Sequence, residues 1–284
     1  MTNNQDTMTN ESIKVRSRAQ IVATLGPVTN SYEQIKALAQ AGADVFRLNF
    51  SWGDFDEHRE QIKNIRKAEA ELGIPLVILE DVPGPRIQKM TGHGYNHESI
   101  KALTDHDREC IMLGIAEGVD YIALSFVGTV EDIEECRQFI KEKGGKQRVI
   151  AKIERAIAVQ NLVPIVMSAD ALMVARGDLG EEVPLEQIPF VQADIISRAN
   201  NAGKPVITAT QMMLSMVDHA TPTRAEVTDV EAAIMQGSDA VMLSEETAKG
   251  THALEAVTMM EKILVEAEKH VPKDRSFNLF KRLA

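Results

Sequence analysis

The chain has 284 residues, a length that can bury a large core and that suits either two ordinary domains or one α/β barrel. Its formal net charge is −11, with acidic residues spread along the sequence, which argues against nucleic acid or an anionic membrane as a partner. Two cysteines without metal spacing, Cys110 and Cys136, and no apolar run of about 18 residues indicate reduced thiols in a cytoplasmic protein with no signal peptide or membrane span.

Short β-branched runs alternate with amphipathic helical segments after a polar N-terminal tail, residues 1–18, which we expect to be disordered. The predicted strands lie at residues 20–25, 45–50, 76–80, 121–126, 149–153, 171–175, 206–210 and 240–243. The predicted helices follow them at residues 32–40, 55–72, 105–117, 130–143, 158–167, 185–202, 224–236 and 253–270. Glycines recur at the predicted helix ends, as stop signals that return the chain to a strand.

Eight strand–helix units with short connections predict a single (β/α)8 TIM barrel of the α/β class over residues 19–271, followed by a C-terminal tail, residues 272–284. The active site of such a barrel forms at the C-terminal ends of its strands. The alternative is a doubly wound open sheet, which has the same alternation. The end of the chain, residues 275–284, is amphipathic and could dock on the barrel or on another subunit, so a homo-oligomer stays open.

One predicted connection, residues 83–99 after the third strand, is unusually long. We expect it to be a surface loop on the active-site face. It contains His93 and His97, which are spaced as a metal-binding pair could be, although such a pair in a polar loop is more often solvated.

A second unusual stretch is the apolar run at residues 171–175, which ends abruptly in charge at residues 176–178. One unit earlier, Lys152 and Glu154 are two residues apart and therefore point to the same side of a strand. Mg²⁺ prefers oxygen ligands and keeps several waters, so Glu154 and Asp178 predict a divalent metal site that substrate oxygens complete. The alternative is an internal salt bridge between Lys152 and one carboxylate.

Polar residues also end other predicted strands. They are Arg47, Asn49, Ser51, Asp81, Thr210, Ser244 and Glu246. Because alternate residues of a strand share a face, Arg47, Asn49 and Ser51 predict one polar row that leads into the barrel mouth.

Seven motifs of this sequence strongly resemble those of the pyruvate kinase family. They are IVATLGP at residues 21–27, FRLNFS at 46–51, AKIE at 151–154, MVARGDLG at 173–180, GKPVITATQM at 203–212, PTRAE at 222–226 and MLSEETAKG at 242–250. The resemblance covers residues 18–270. It implies the barrel of the phosphoenolpyruvate- and pyruvate-binding class.

The resemblance also implies roles for the strand-end residues. Glu154 and Asp178 would hold Mg²⁺ or Mn²⁺, and Lys152 would stabilise charge on a transferring phosphoryl group or on an enolate oxygen. Thr210 would lie near the face of the enolate that is protonated. Arg47 would bind an anion.

The resemblance also implies a set of substrate-binding residues. By the same resemblance, the N–H groups of Gly177 and Asp178, at a helix start, would bind the substrate carboxylate. The remaining predicted substrate-binding residues are Ala175, Arg176, Asn49, Ser244 and Glu245.

The sequence departs from the family pattern mainly on the nucleotide side. Family members carry a lid domain after the third strand and a regulatory domain after the last barrel helix, whereas here only a loop at residues 89–100 replaces the lid and the chain ends at Ala284. Gln88 stands where the family has arginine, and Trp52 where it has histidine. Glu245 replaces a glycine. We expect each change to disfavour a polyphosphate.

The potassium site of the family would map to Asn49, Ser51, Asp81 and the carbonyl of Val82. Arg86 stands where potassium-dependent members carry glutamate and potassium-independent members carry lysine. We therefore expect a fixed positive charge in place of K⁺.

These departures favour enolate chemistry over phosphoryl transfer, because phosphoryl transfer needs phosphate clamps and exclusion of water. Our leading hypothesis is a Mg²⁺- or Mn²⁺-dependent lyase, an aldolase or a decarboxylase, that acts on pyruvate or a related 2-oxo acid. Glu245 would recognise a cationic or hydroxylated aldehyde acceptor, or would be an ordinary surface residue. The first alternative is a minimal pyruvate kinase that makes pyruvate and ATP from phosphoenolpyruvate and ADP. The second is a catalytically silent barrel that binds a 2-oxo acid or a protein partner.

Overall fold

The computed structural model describes residues 16–85, the backbone of residues 87–89 and 92–94, and residues 101–283. The strands are β1 (Gln20–Thr24), β2 (Ala43–Asn49), β3 (Val77–Asp81), β4 (Ile87–Lys89), β5 (Gly92–Gly94), β6 (Tyr121–Leu124), β7 (Arg148–Ile153), β8 (Ala171–Ala175), β9 (Val206–Ala209) and β10 (Ala240–Leu243). The helices are α1 (Tyr32–Ala41), α2 (Phe55–Leu72), α3 (Asp105–Glu117), α4 (Val130–Glu142), α5 (Ala156–Gln160), α6 (Leu162–Ser168), α7 (Arg176–Glu182), α8 (Ile188–Asn201), α9 (Arg224–Gln236), α10 (Glu245–Ala248) and α11 (Ala253–Ala267). Short 3-10 helices lie at Leu185–Gln187 and Leu214–Val217.

Eight of these strands form a closed parallel barrel in the order β1-β10-β9-β8-β7-β6-β3-β2, and β2 pairs with β1 to complete the circle. Strands β4 and β5 form a separate antiparallel hairpin between β3 and α3. The TIM barrel is therefore confirmed, and the open sheet is wrong.

The predicted strands and helices are confirmed to within a few residues at their ends, with three exceptions. The helix predicted at residues 158–167 is split into α5 and α6, and the one predicted at 185–202 begins as a 3-10 helix. The last helix ends at Ala267 rather than at residue 270. Helix α10, which follows directly on β10, was not predicted, and α7 after β8 was expected only as a helix start at Gly177 and Asp178, without bounds.

Local capping explains why several helices begin and end where they do. Thr104 and Thr223 each cap a helix with their hydroxyl group, and the acidic residue three positions later bonds back to the capping residue. Gly73 ends α2 in the left-handed conformation, with φ of 65°, which glycine adopts without strain.

The barrel encloses an apolar interior. Its members are Val22, Val45, Val77, Leu79, Tyr121, Ala123, Ile150, Ala171, Met173, Ile207, Ala209, Ala240, Met242 and Phe280. Because side chains alternate along a strand, the inward rows continue to polar residues at the C-terminal strand ends. Val45 leads to Arg47 and Asn49, and Ile150 leads to Lys152 and Glu154. The fold thus directs these four predicted site residues into the barrel mouth.

The opposite end of the barrel is covered by residues 272–283, which we name the C-terminal strap. Its Phe280 is 2% exposed and packs edge-on against Tyr121, with ring centroids 5.2 Å apart. The backbone of Phe280 exchanges two hydrogen bonds with the side chain of Gln20. Of the two predicted positions for this amphipathic segment, the described residues occupy the one on their own barrel.

Three further predictions concern the cysteines, the histidine pair and membrane-spanning helices. Cys110 and Cys136 are buried free thiols, as predicted. The side chains of His93 and His97 lie outside the described residues. Within the described part of the chain, no helix has both the length and the hydropathy that crossing a bilayer requires.

Candidate active site

Four charged residues meet at the barrel mouth and form what we name the charged hub: Arg47, Asp81, Lys152 and Glu154. The Lys152 ammonium lies 2.9 Å from Asp81 Oδ1 and 3.4 Å from Glu154 Oε2. Arg47 Nε donates to Asp81 Oδ2 at 2.7 Å. Lys152 is only 4% exposed and Asp81 2%, so these ion pairs are largely shielded from water. The formal charges of the hub cancel.

Two opposing influences act on the pKa of Asp81. Burial raises that pKa, but the neighbouring charges of Lys152 and Arg47 outweigh burial and lower it to about 2. Asp81 therefore stays ionised at neutral pH and fixes both cations in place.

Glu154 is held by the backbone of the loop that follows β6. Its Oε1 accepts the N–H of Phe126 at 2.7 Å. Phe126 has φ of 58°, a conformation that a bulky residue rarely adopts. The strain lies at the predicted site, as backbone strain often does.

Glu154 and Asp178 occupy neighbouring positions on the barrel rim. Glu154 follows β7, Asp178 lies in the first turn of α7 after β8, and the two strands pair with Ile153 opposite Val174. Among residues 16–85 and 101–283, no three His, Cys, Asp or Glu side chains gather tightly enough to hold a metal by themselves. Two carboxylates fit Mg²⁺ when substrate oxygens complete its shell. The ion pair that we weighed against this site is present, because Lys152 contacts Glu154.

Thr210 is fixed beside the start of α7. Its hydroxyl donates to the carbonyl of Ala209 at 2.7 Å and accepts the N–H of Gly177 at 2.8 Å. Thr210 and Gln211 both have positive φ, at 68° and 55°. The Gly177 N–H that we expected to meet a substrate carboxylate thus donates to Thr210.

Arg176 points away from the hub toward β9 and α9. Its guanidinium donates to Asp229 Oδ1 and to the Thr210 carbonyl, both at 2.7 Å. These contacts fix the strained turn after β9. The structure therefore gives Arg176 a supporting position behind Thr210 rather than one facing the hub.

The three remaining predicted substrate-binding residues near β8 and β10 differ in exposure. Ala175 is buried, and Ser244 donates its N–H to Glu246. The Glu245 side chain is 54% exposed and pairs with Lys249 on the surface of α10. The buried neighbour Glu246 also accepts the N–H of Met213, so it ties the loops after β9 and β10 together.

Sequence reasoning missed two hydroxyl groups that hydrogen-bond to the hub. Ser125 accepts from Lys152 Nζ at 2.7 Å and donates to the Val82 carbonyl at 2.6 Å. Thr24 accepts from Arg47 Nη1 at 3.1 Å. Both residues follow the last inward apolar residue of their strands, so listing the polar residues at all eight strand ends would have found them.

The nucleotide side is described only in part. Trp52 is 63% exposed beside the mouth, and Asn49 Oδ1 accepts the Ser51 N–H at 3.2 Å. Arg86 and the side chain of Gln88 lie outside the described residues.

Comparison with known proteins places this site in a family context. The model of "Pyruvate kinase, barrel domain" matches residues 16–100 and 94–257. Pyruvate kinase 2 of Synechocystis sp. is 38% identical over 88% of this chain and 57% of that protein. The pyruvate kinases of Thermococcus litoralis and Thermotoga maritima are 35% and 33% identical, over 89% and 88% of this chain and 70% and 71% of theirs. This chain thus spans little more than half the length of the Synechocystis relative.

These relatives correct our leading hypothesis. All three are named pyruvate kinases, so the expectation of an aldolase or a decarboxylase is wrong, and the aldehyde acceptor assigned to Glu245 has no support. The expectation against K⁺ also gains no support from this family. The alignment with the Synechocystis protein spans 335 positions, more than the 284 residues of this chain, so that relative carries additional residues within the matched region. The chain belongs to the pyruvate kinase family and contains the barrel domain of that family.

Proposed function

We propose that this chain transfers the phosphoryl group of phosphoenolpyruvate to ADP, giving pyruvate and ATP. The charged hub carries this proposal, because it holds a lysine, an arginine and two carboxylates at the mouth of a pyruvate kinase barrel. The substrates are small anions, and the two cations of the hub suit them.

Lys152 has the central role in this proposal. Asp81, Ser125 and Glu154 hold its ammonium on three sides, so its charge is fixed before the substrate arrives. Such a preorganised charge stabilises negative charge that develops on the transferring phosphoryl group and on the enolate oxygen. Arg47, held by Asp81 and Thr24, supplies a second fixed cation for an anionic group of the substrate.

Glu154 and Asp178 are the residues that would hold a divalent metal. When bound, Mg²⁺ or Mn²⁺ would neutralise charge between the substrate oxygens. The two carboxylates lie just beyond the C-terminal ends of the neighbouring strands β7 and β8, and their chemistry and placement support this assignment.

Thr210 is our candidate for positioning the proton that converts the enolate into pyruvate. Its hydroxyl lies between the Ala209 carbonyl and the Gly177 N–H, which fixes its direction. A water bonded to this hydroxyl would deliver the proton to carbon three. Arg176 supports that turn from behind.

Whether the reaction needs K⁺ is a separate question, which activity measurements with and without K⁺ can answer. Asp81, which the resemblance would assign to K⁺, already contacts Lys152 through Oδ1 and Arg47 through Oδ2. A bound K⁺ would therefore share a carboxylate with two fixed cations. Activity with and without K⁺ measures whether it does.

The test is turnover of phosphoenolpyruvate and ADP with Mg²⁺, followed as pyruvate formation. We expect Lys152→Met to lower kcat by at least about a hundredfold, the typical loss when one preorganised charge-stabilising group is removed. The matched control is Lys249→Met, because Lys249 is exposed and pairs only with Glu245 among the contacts described. Pyruvate formation that is independent of ADP, or equal in the two variants, would refute the proposal.

A further inference from the structure

The loop between β2 and α2, residues 50–54, lies next to the charged hub, and we name it the mouth loop. A buried histidine of α2 contacts its backbone. His58, in the first turns of α2, is 3% exposed. Its Nε2 lies 3.0 Å from the carbonyl oxygen of Trp52, and its Nδ1 lies 3.1 Å from Oε1 of Gln61. A carbonyl oxygen only accepts hydrogen bonds, so Nε2 must carry a proton.

The orientation of the Gln61 amide decides the state of Nδ1. Glu57 Oε1 lies 2.6 Å from the Asn30 amide nitrogen, and a carboxylate only accepts, so Asn30 must present its NH₂ group to Glu57. Asn30 then presents its oxygen to the Gln61 amide nitrogen, at 2.7 Å. Gln61 is left with its oxygen toward His58. Reversing either amide would place two acceptors face to face.

Both ring nitrogens of His58 therefore face acceptors. We infer that His58 is held as the imidazolium and acts as a positioning residue, which ties the Trp52 carbonyl of the mouth loop to the Glu57 carboxylate through two amides. The ring also stacks on Phe50, with centroids 3.9 Å apart and planes 11° apart, a geometry that favours a cation over an aromatic face.

The titratable groups around this ring come from α2 and α3. Glu57 ends the amide chain, and the Asp54 carboxylate caps α2. Asp56 and His106 lie, together with His58, along a cavity of about 490 Å³, and the His106 ring stacks on Phe55. Arg59 of α2 pairs with Asp56 and offsets its charge, so Glu57 and Asp54 are the acidic neighbours that favour the cation.

The contact between His58 and Trp52 matters because Trp52 also donates its N–H to the carbonyl of Asn49, at 3.1 Å. Trp52 thereby links His58 to the end of β2, two residues beyond Arg47. When the His58 ring loses one proton, only one of its two nitrogens can donate. Either the hydrogen bond to the Trp52 carbonyl is then lost, or the amide groups of Gln61 and Asn30 must both turn over. We expect the mouth loop to be ordered at low pH and to loosen as the pH rises. The effect of this loosening on catalysis rests on the proposed function, whereas the protonation of His58 does not.

The first test reads the ring directly, by ¹⁵N NMR of histidine-labelled protein, with His58→Gln to assign the signal. We expect both ring nitrogens of His58 to show attached protons at neutral pH. A single protonated nitrogen would overturn the inference, whether or not the chain is active.

The second test reads the loop. Trp52 is the single tryptophan of the chain, so its fluorescence reports the loop in a titration from about pH 5 to about pH 8, the range in which histidine side chains change charge. We expect an emission change that disappears in Glu57→Gln, because an amide at position 57 can accept or donate and frees the chain to reverse. His106→Gln is the control and should keep the change. An identical change in Glu57→Gln would contradict the role of the amide chain.

Activity gives the third reading. We expect kcat/KM for phosphoenolpyruvate to fall roughly tenfold over the same pH range, the size of one lost hydrogen bond from a charged donor. In Glu57→Gln the fall should be smaller, with kcat at low pH unchanged. A fall that is equal in both proteins would show that His58 does not position the loop for catalysis.

Discussion

Two adjacent residues of β3 show that alternation along a strand places one carboxyl group in the candidate site and the other in an apolar environment. On β3, Asp81 points into the charged hub, while the preceding Glu80 points outward against α3. Glu80 is fully buried, and neither of its side-chain oxygens has a hydrogen-bond partner among the described residues. It fits only because position 114 is glycine, where an added Cβ would lie 1.8 Å from Glu80 Oε2. Burial, with the charges of Asp107 and Asp81, raises the pKa of Glu80 well above its ordinary value.

Replacing Glu80 should therefore stabilise the protein. Folded Glu80 keeps a proton that the unfolded chain releases above about pH 4.3, so this residue lowers stability increasingly as the pH rises toward its raised pKa. We expect Glu80→Leu to raise the free energy of unfolding by about 1–3 kcal/mol, and by more at pH 8 than at pH 5. Urea denaturation at both pH values measures this. Glu80→Gln should lose the pH dependence but keep an unsatisfied polar group, and a destabilised Glu80→Leu would contradict the account.

At the scale of elements, the two ends of the barrel have separate tasks. The C-terminal strand ends carry the hub, while the C-terminal strap covers the other end. The strap is bonded along its length. Arg275 donates to the Ser238 carbonyl at 2.7 Å, the Asn278 N–H to Asp239 at 2.8 Å and Arg282 to Asp120 at 3.0 Å. The strap thus supports the barrel without touching the hub.

Truncating the buried aromatic residue of the strap should lower stability and leave the chemistry intact. We expect Phe280→Ala to lower the free energy of unfolding by about 3 kcal/mol, because it removes a ring from the barrel interior. Leu279→Ala is the matched control, since Leu279 is 39% exposed and should change stability little. Thermal denaturation compares the two variants. Equal melting temperatures would show that Phe280 does not contribute to the core.

For the whole molecule, the sequence predicted the barrel because each strand is an apolar run that a helix follows. Alternation then placed Arg47, Lys152 and Glu154 in the mouth. Helix α10 escaped prediction, and α7 was expected only as a helix start at Gly177, because four and seven residues are too few for a periodic pattern. The direction of Arg176 also escaped, because it depends on Asp229, 53 positions away.

The function was mispredicted for a physical reason. Gln88 and Trp52 replace an arginine and a histidine that would contact nucleotide phosphates. The prediction gave these replacements more weight than the matching residues of the charged hub. The relatives show that a matching barrel goes with pyruvate kinases.

The measurement that tests the central claim most directly is ³¹P NMR of the wild-type chain with phosphoenolpyruvate, ADP and Mg²⁺. We predict that the phosphoenolpyruvate signal decays while the γ-phosphate signal of ATP rises by the same amount. Decay into inorganic phosphate, or no decay at all, would contradict the claim that the charged hub transfers the phosphoryl group to ADP.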